Sequence, residues 1–286
     1  MDAQFDRAAA LLPERLRGEA LYLDAESKAQ AEELRLRCGL GACVRTGSRR
    51  IPLRAAVDRE VIDETLERAS GSSLHTVQES MRAGYLTASG GFRIGLGGTA
   101  VLKNGELYGF RQVSSLNIRI PRAWRCVTPE LQARLSGKSV LILSPPGGGK
   151  TTLLRELVRL WSLDGDNVAL IDERGELAAL HNGAPQFDVG PNTDVLDQCP
   201  KAAALSLALR VLSPQVIAMD ELGGAADAAA LRQAADCGAR LLASVHAAGL
   251  RELKVRGVPI ELFDTAVRIT CEGGRRIYQV EELSSC

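Results

Sequence analysis

The feature that most constrains this chain is the segment SVLILSPPGGGKTTLLREL at residues 139–157. A short apolar strand pattern leads into a glycine-rich loop, and an amphipathic helix pattern follows directly. This order is the context that the phosphate-binding loop G-x-x-x-x-G-K-[ST] requires. The pattern has one departure, because Ser144 stands where the motif has glycine. Serine is small, so we expect a slower or weaker site, whereas a glycine-rich turn without a ligand is the alternative.

Each position of this loop has an expected task toward a nucleoside triphosphate. Three successive glycines let backbone N–H groups turn inward, and the following helix directs its positive dipole end at the anion. Lys150 is expected to reach the β and γ phosphates, Thr151 to offer its hydroxyl to Mg²⁺, and Thr152 to bind the α phosphate. The predicted nucleotide-binding residues are Ser144, Pro145, Pro146, Gly147, Gly148, Gly149, Lys150, Thr151 and Thr152.

From residue 138 onward, strand and helix patterns alternate, which predicts a parallel sheet with helices on both faces. The strand patterns are SVLILS, NVALID, QVIAMDEL, RLLASVHA and a closing RIYQVEEL. We therefore predict the α/β fold class, with a P-loop NTPase domain of the RecA/AAA-like type at residues 124–286. A smaller α+β domain at residues 1–123 precedes it.

The first domain shows two further patterns. Residues 58–83 predict two helices separated by Gly-Ser-Ser, and Asn104-Gly105 predicts a tight hairpin between two strands of a glycine-rich segment. Trp124 to Leu135 predicts a helix that connects the two domains.

Acidic residues follow two of the apolar strands of the second domain. Asp220 and Glu221 come after VIAM, at the end of the strand where ligands bind in open parallel sheets. Asp220 is the expected partner of Mg²⁺ together with Thr151, and Glu221 the candidate to orient or deprotonate the attacking water. Glu173, in the segment LIDERGE, is a second candidate for the water, and the residues alone leave this choice open. The alternative interpretation is that the charged residues of this segment form a surface salt-bridge cluster.

A possible sensor of the γ phosphate follows the strand RLLASVHA. Ser244 or His246 is expected to hydrogen-bond the γ phosphate or its water. A single histidine at a strand end is also compatible with a packed or solvated side chain, and only the neighbouring strands favour the catalytic interpretation.

Composition narrows the classes of partner. The chain has 35 basic and 35 acidic residues, which argues against a protein that coats nucleic acid, and eleven aromatic residues offer few stacking surfaces for bases. The seven cysteines form no C-x-x-C pair, as expected of free thiols in a reducing compartment. No apolar run approaches the ~20 residues that cross a bilayer. We therefore expect a cytoplasmic protein that does not insert into membranes and is recruited to one through partners.

Six segments of the chain carry a resemblance to a known family: GGFRIGLGG, VSSLNIRIPR, SPPGGGKTTLLREL, IDERGELA, FDVGPNTDVLDQCPKA and LSPQVIAMDELG. Together they resemble the stage III sporulation protein AA ATPases of endospore-forming bacteria, which are similar to the ring-forming ATPases of type II and type IV secretion. The resemblance implies a hexameric ATPase that uses Mg²⁺, prefers ATP to GTP, and acts in the mother cell. It would energise a secretion-like channel to the forespore, with membrane proteins of that channel as partners.

A ring also implies an arginine that completes the site of the neighbouring subunit, where it stabilises transition-state charge. Arginines cluster in the glycine-rich segment and its exit, and we favour Arg119 or Arg122 for this role; a solvated basic face is the alternative. The others are Arg93, Arg111 and Arg125. Two other functions stay open, a nucleic-acid translocase with the same ATPase core and a nucleotide-gated scaffold with little turnover.

Overall fold

The structure, a computed structural model, describes residues 3–47, 49–71, 82, 84–121, 125–223, 225–255, 257–272 and 275–283. Two compact units divide the chain. The first comprises Met1–Arg122 together with Leu180–Gln186, and the second comprises Ala123–Ala179 and Phe187–Cys286. The short segment Leu180–Gln186 therefore belongs to the first unit, although the chain on either side of it is part of the second. Within the first unit, its Gln186 Oε1 accepts a hydrogen bond of 2.6 Å from the backbone N–H of Gly90.

The first unit is built on an antiparallel sheet of six strands in the order β3-β2-β1-β6-β5-β4. Its helices are Ala3–Ala9, Glu14–Leu21, Ala25–Gln30 and Arg59–Ser70, and its strands are β1 Glu33–Arg37, β2 Gly41–Thr46, β3 Arg49–Leu53, β4 Tyr85–Ala88, β5 Phe92–Lys103 and β6 Glu106–Arg119. The expected hairpin is confirmed between β5 and β6, where Asn104 and Gly105 both have positive φ, of 55° and 83°.

The helix Arg59–Ser70 agrees with the first of the two predicted helices. The side chain of Asp58 caps its start by accepting from the N–H of Val61, and Gly71 ends it in the left-handed conformation. The second predicted helix falls largely on residues 72–81, which lie outside the described residues.

The second unit contains a sheet of seven strands in the order β13-β12-β7-β11-β10-β8-β9. All neighbouring strands are parallel except the edge strand β13, which pairs antiparallel with β12. The strands are β7 Val140–Ser144, β8 Val168–Asp172, β9 Thr193–Asp197, β10 Val216–Met219, β11 Arg240–His246, β12 Thr265–Glu272 and β13 Arg275–Glu282. The helices are Pro129–Leu135, Lys150–Leu163, Lys201–Val211, Ala225–Asp236 and Leu250–Val255, with a 3₁₀ turn at Ile260–Leu262.

The helix predicted from Trp124 is shorter than expected. It begins at Pro129, because the Thr128 hydroxyl accepts from the N–H of Leu131 and proline fits the first helical position. Arg125 to Thr128 is not helical, and Trp124 lies outside the described residues.

Three of the strands that carry the site are buried along their whole length. Every residue of β7, β8 and β10 is buried, as expected for parallel strands covered on both faces. The helix Lys150–Leu163 packs Leu153, Leu157 and Trp161 into this core at a spacing of four residues. The carboxyl ends of β7, β11, β10 and β8 thus lie side by side at one end of the sheet. Among the described residues, no helix is both long and apolar enough to cross a membrane.

Candidate functional site

The predicted phosphate loop joins β7 directly to the helix Lys150–Leu163, as the sequence indicates. Gly147 and Gly149 have φ of 75° and 100°, a region that side-chain-bearing residues rarely adopt. Gly149 stands at the N-cap of the helix, so the free N–H groups of the first helical turn face the loop. Pro145 and Pro146 are exposed on its outer side. This backbone can hold an anion without side-chain donors.

Ser144 fits the loop because its small side chain packs beneath Gly148. It ends β7 in an extended conformation, is fully buried, and its Oγ donates to the carbonyl of Pro145 at 3.0 Å. A Cβ on Gly148 would overlap the Ser144 Oγ. Ser144, the residue that departs from the motif, therefore leaves no space for a side chain at position 148, which explains why glycine is needed there.

Lys150 lies inside the loop with only 5% of its surface exposed. Its Nζ donates to the carbonyls of Ser144 at 3.1 Å and Pro145 at 3.3 Å, and lies 2.8 Å from the Nδ1 of His246. Burial lowers the pKa of Lys150, and the negative charges of Asp220 and Glu221 oppose that shift. The ammonium group is thus held at the loop by weak neutral acceptors that a phosphate can replace.

Thr151 and Asp220 meet although 69 residues separate them in the chain. The Thr151 Oγ1 donates to the Asp220 Oδ2 at 2.7 Å. The other carboxylate oxygen, Oδ1, accepts from the backbone N–H of Glu221 at 3.0 Å and from the hydroxyl of Ser244. Thr152 follows in the first helical turn and is half-buried. A hydroxyl and a carboxylate beside the phosphate loop are the oxygen ligands that suit Mg²⁺, so the residues present fit this ion.

Glu221 is held by contacts from several segments. Its backbone has φ of 48°, a strained value for a residue with a side chain, and its N–H also donates to the Ser244 Oγ at 3.1 Å. Its Oε1 lies 2.9 Å from the Nε2 of His246, and its Oε2 lies 2.6 Å from a guanidinium nitrogen of Arg174. Both carboxylate oxygens are therefore oriented at the end of β10.

Two contacts of His246 indicate which of its ring nitrogens accepts a hydrogen bond and which donates one. An ammonium group has only donors, so the His246 Nδ1 must accept from Lys150. The Nε2 then carries the hydrogen and donates to Glu221. The site thus contains a continuous series of polar contacts from Lys150 through His246 and Glu221 to Arg174.

Glu173, the second candidate for the attacking water, lines the same recess as Asp220 and Glu221 but is paired with a lysine. Its Oε2 lies 2.6 Å from the Nζ of Lys201. The hydrogen bond from Lys201 is the main cause that lowers the pKa of Glu173. Asp172, just before it, is buried and accepts from the backbone N–H groups of Glu176, Leu177 and Ala178. Asp172 therefore orders the acidic segment from inside the fold, whereas Glu173 forms an ion pair of the kind that the salt-bridge alternative expects.

The predicted arginines fall in different parts of the molecule. Arg119 is exposed at the end of β6 in the first unit, opposite Glu33 and Arg93 in the sheet register. Arg93 lies over the ring of Tyr85 at 3.9 Å. Arg122 lies outside the described residues. The list is completed by Arg111, exposed on β6, and Arg125, which binds Glu156 and Asp188 in the second unit.

Two basic residues of the site have no clear signal in the sequence. Arg174 is the arginine of the acidic segment LIDERGE, and Arg276 stands at the start of the closing strand pattern RIYQVEEL. A Cβ on Gly149 would come within 2.7 Å of the Arg276 Nε, so this side chain lies directly against the loop. Its signal in the sequence is weak, because it depends on β13 being the strand two places from β7.

Comparisons with known proteins agree with this fold. A family model described as "Sporulation stage III, protein AA" matches residues 6–271. The stage III sporulation protein AA of Bacillus subtilis (strain 168) is 35% identical over 256 residues, which are 87% of this chain and 83% of that protein. This confirms the family that the motifs indicated.

Two solved structures give the same result for the fold. The pilus retraction motor PilT with bound ADP matches with a TM-score of 0.61 and 16% identity, covering 90% of this chain and 80% of that one. The Legionella pneumophila ATPase DotB matches with a TM-score of 0.59 and 16% identity, covering 91% and 79%. The predicted P-loop NTPase fold with a smaller N-terminal domain is confirmed.

Proposed function

The chain belongs to the stage III sporulation protein AA family, and from this premise we propose that it binds and hydrolyses ATP as the motor of a secretion-like channel in endospore formation. The observation that carries the proposal is the 2.7 Å contact between Thr151 and Asp220 beside the glycine loop. Phosphoryl transfer needs a metal held between the loop and a second acidic strand end, and these two residues supply that pair. Bound there, Mg²⁺ would neutralise charge on the phosphates.

The roles of the side chains follow from their contacts. A triphosphate in the loop competes with the Ser144 and Pro145 carbonyls, and with His246, for the ammonium group of Lys150. A phosphate is the stronger acceptor because it is charged. His246 then loses its contact with Lys150 while its Nε2 still faces Glu221. We therefore assign to His246 the role of a sensor: its contact with Lys150 depends on whether a nucleotide is bound, and its contact with Glu221 transmits this difference.

Glu221 is the better candidate to orient the attacking water, because it shares this series of contacts with Lys150. Glu173 is paired with Lys201 and does not take part in it. Arg174 holds one oxygen of Glu221 in an ion pair. Release of Glu221 from Arg174 is therefore part of the activation of the site.

We further propose that the chain forms a homo-oligomeric ring, a hexamer as the family resemblance implies. In this ring, Arg119 or Arg122 of one subunit completes the nucleotide site of its neighbour. Membrane proteins of a sporulation channel would be the partners, on the mother-cell side, and nucleic acid is not an expected ligand. The two solved structures above share the fold of this chain, and PilT holds ADP, which supports a nucleotide as the ligand here. The division into domains at residues 1–123 and 124–286 is part of the same proposal.

Titration calorimetry with magnesium-ATP, followed by phosphate release, tests the proposal. The native chain should release heat and turn ATP over, and Lys150→Ala should lose both. Lys138→Ala is the matched control, since Lys138 pairs with Glu282 at the opposite end of β7. Particle mass with and without nucleotide tests the ring. If the native chain gives no heat and ATP gives no protection against unfolding, the motor function is refuted.

A nucleotide-gated scaffold with little turnover is the second candidate. The engagement of both Glu221 oxygens by His246 and Arg174 favours it, because an oriented but occupied carboxylate delays catalysis. Tight ATP binding without phosphate release in the assembled ring would favour the scaffold over the motor.

A further inference from the structure

The sheet order gives a direction to any nucleotide in the loop. This step rests on the proposed function. The loop follows β7, which lies between β11 on one side and β12 on the other. His246 on β11 and Asp220 after β10 are both on the β11 side. Because the reacting γ phosphate must face these groups, the opposite end of the nucleotide points toward β12 and β13.

A recess lies at the place where that opposite end arrives. It borders Gly147 and Gly148 of the loop and is lined by Cys126, Cys271, Arg276 and Tyr278 among others. Tyr278 is half-buried, and its pKa is raised, mainly by burial and also by the neighbouring thiol of Cys126. A phenol ring with polarisable sulfur atoms beside it is a suitable surface for a flat heteroaromatic group. The loop and the recess together thus offer one surface for phosphates and one for a base.

Arg276 stands between these two surfaces. It shares a face of β13 with Tyr278, two residues away, and its guanidinium lies against Gly149. Within the described part of the chain, no ion pair engages this guanidinium. A second recess borders the same loop and includes Arg268, but that arginine is held by Gln279 and Glu281. Arg125, which also lines the first recess, is paired with Glu156 and Asp188, so Arg276 is the arginine of these two recesses that is placed to receive an anionic ligand.

We propose that the recess of Cys126, Cys271, Arg276 and Tyr278 binds the base and ribose of the nucleotide, and that Arg276 binds the α phosphate. The ligand class is a nucleoside di- or triphosphate. Tyr278 supplies the stacking surface for the base. The phosphate loop alone binds any polyphosphate, so this recess is what distinguishes a nucleotide from inorganic tripolyphosphate.

Calorimetric titration with ATP, ADP and inorganic tripolyphosphate tests this assignment. The native chain should bind ATP at least about tenfold more tightly than tripolyphosphate, as expected from one aromatic stacking contact. Tyr278→Ala should lower ATP affinity by about tenfold and leave tripolyphosphate affinity unchanged, whereas Tyr278→Phe should keep both. Ile277→Ala, on the opposite face of β13, is the control and should change neither. Tripolyphosphate binding by each variant shows that its loop has folded.

Three results would overturn the inference in different ways. An equal loss of ATP and tripolyphosphate affinity in Tyr278→Ala, or an unchanged ratio of the two, would place the base elsewhere and leave the proposed function standing. A native chain that binds neither ligand would refute the proposed function as well. Arg276→Gln should weaken ATP and ADP by a similar factor; a loss confined to ATP would contradict its contact with the α phosphate.

Discussion

Ser244→Ala is the substitution that most directly tests how Asp220 and Glu221 are held at the carboxyl end of β10. The Ser244 hydroxyl donates to Asp220 Oδ1 and accepts from the N–H of Glu221. Alanine removes both contacts and changes no charge. The Ser244 carbonyl still accepts from the N–H of Leu222 at 2.7 Å, so the backbone of this region keeps an anchor.

The size of the effect follows from burial. Ser244 is fully buried, so water does not readily replace its hydroxyl. A hydrogen bond to a charged group contributes about 1.5–3 kcal/mol, and we expect the free energy of unfolding to fall by about 2 kcal/mol. Glu221 holds a backbone conformation that costs about 1–3 kcal/mol, and it loses one of the two acceptors of its N–H. Relaxation of this strain should lower kcat by about tenfold, or about 1.4 kcal/mol.

Steady-state ATP hydrolysis at saturating and limiting Mg²⁺, together with urea unfolding, measures both effects. We expect kcat to fall while the KM for ATP stays within about threefold, since Lys150 and the loop are unchanged. Ser162→Ala is the matched control: Ser162 is equally buried and its Oγ accepts from the N–H of Asn192 at 2.7 Å, away from the loop. It should lose stability and keep kcat. If Ser244→Ala loses stability and keeps kcat as this control does, the orientation of Glu221 does not depend on Ser244.

Three further predictions address the water, the loop and the pH dependence. Glu221→Gln should bind ATP in a filter assay but release no phosphate, and Glu173→Gln should turn over nearly normally; the reverse result would move the role to Glu173. Gly148→Ala should abolish the thermal shift given by ATP, because its Cβ overlaps the Ser144 Oγ, and adding Ser144→Gly should restore part of it, whereas no restoration would refute this cause. Burial raises the pKa of Glu156, but neighbouring arginines outweigh this and lower it below 4.5. The ionised carboxylate therefore stabilises the fold at neutral pH, so the destabilisation of Glu156→Gln in urea, about 1 kcal/mol at pH 7, should shrink as the pH falls from 4.5 through the lowered pKa of Glu156; a constant difference would exclude charge as its cause.

The parts of the fold that were predictable from sequence depend on local patterns. The loop, its flanking strand and its helix are adjacent in the chain, and Asn104-Gly105 specifies its own turn. The pairing of Thr151 with Asp220 was also predictable, since carboxyl ends of parallel strands meet at one edge.

The parts that were missed depend on the order of strands and on weak patterns. β9 was not predicted, because TDVLD carries acidic residues and forms a half-exposed edge strand. β12 carries Arg268 and two threonines, which disguise an internal strand. Without β12 and β13 in place, the position of Arg276 beside the loop has no sequence signature.

The short segment Leu180–Gln186 has a practical consequence for dissecting this molecule. Because it belongs to the first unit, the polypeptide passes from one unit to the other three times. Dividing the chain once near residue 123 would separate Gly90 from the Gln186 side-chain oxygen that accepts a hydrogen bond from its backbone N–H. Expressing the two halves as independent fragments should therefore give less stable pieces than the intact chain, whereas a graft that carries residues 180–186 with the first half would keep that contact.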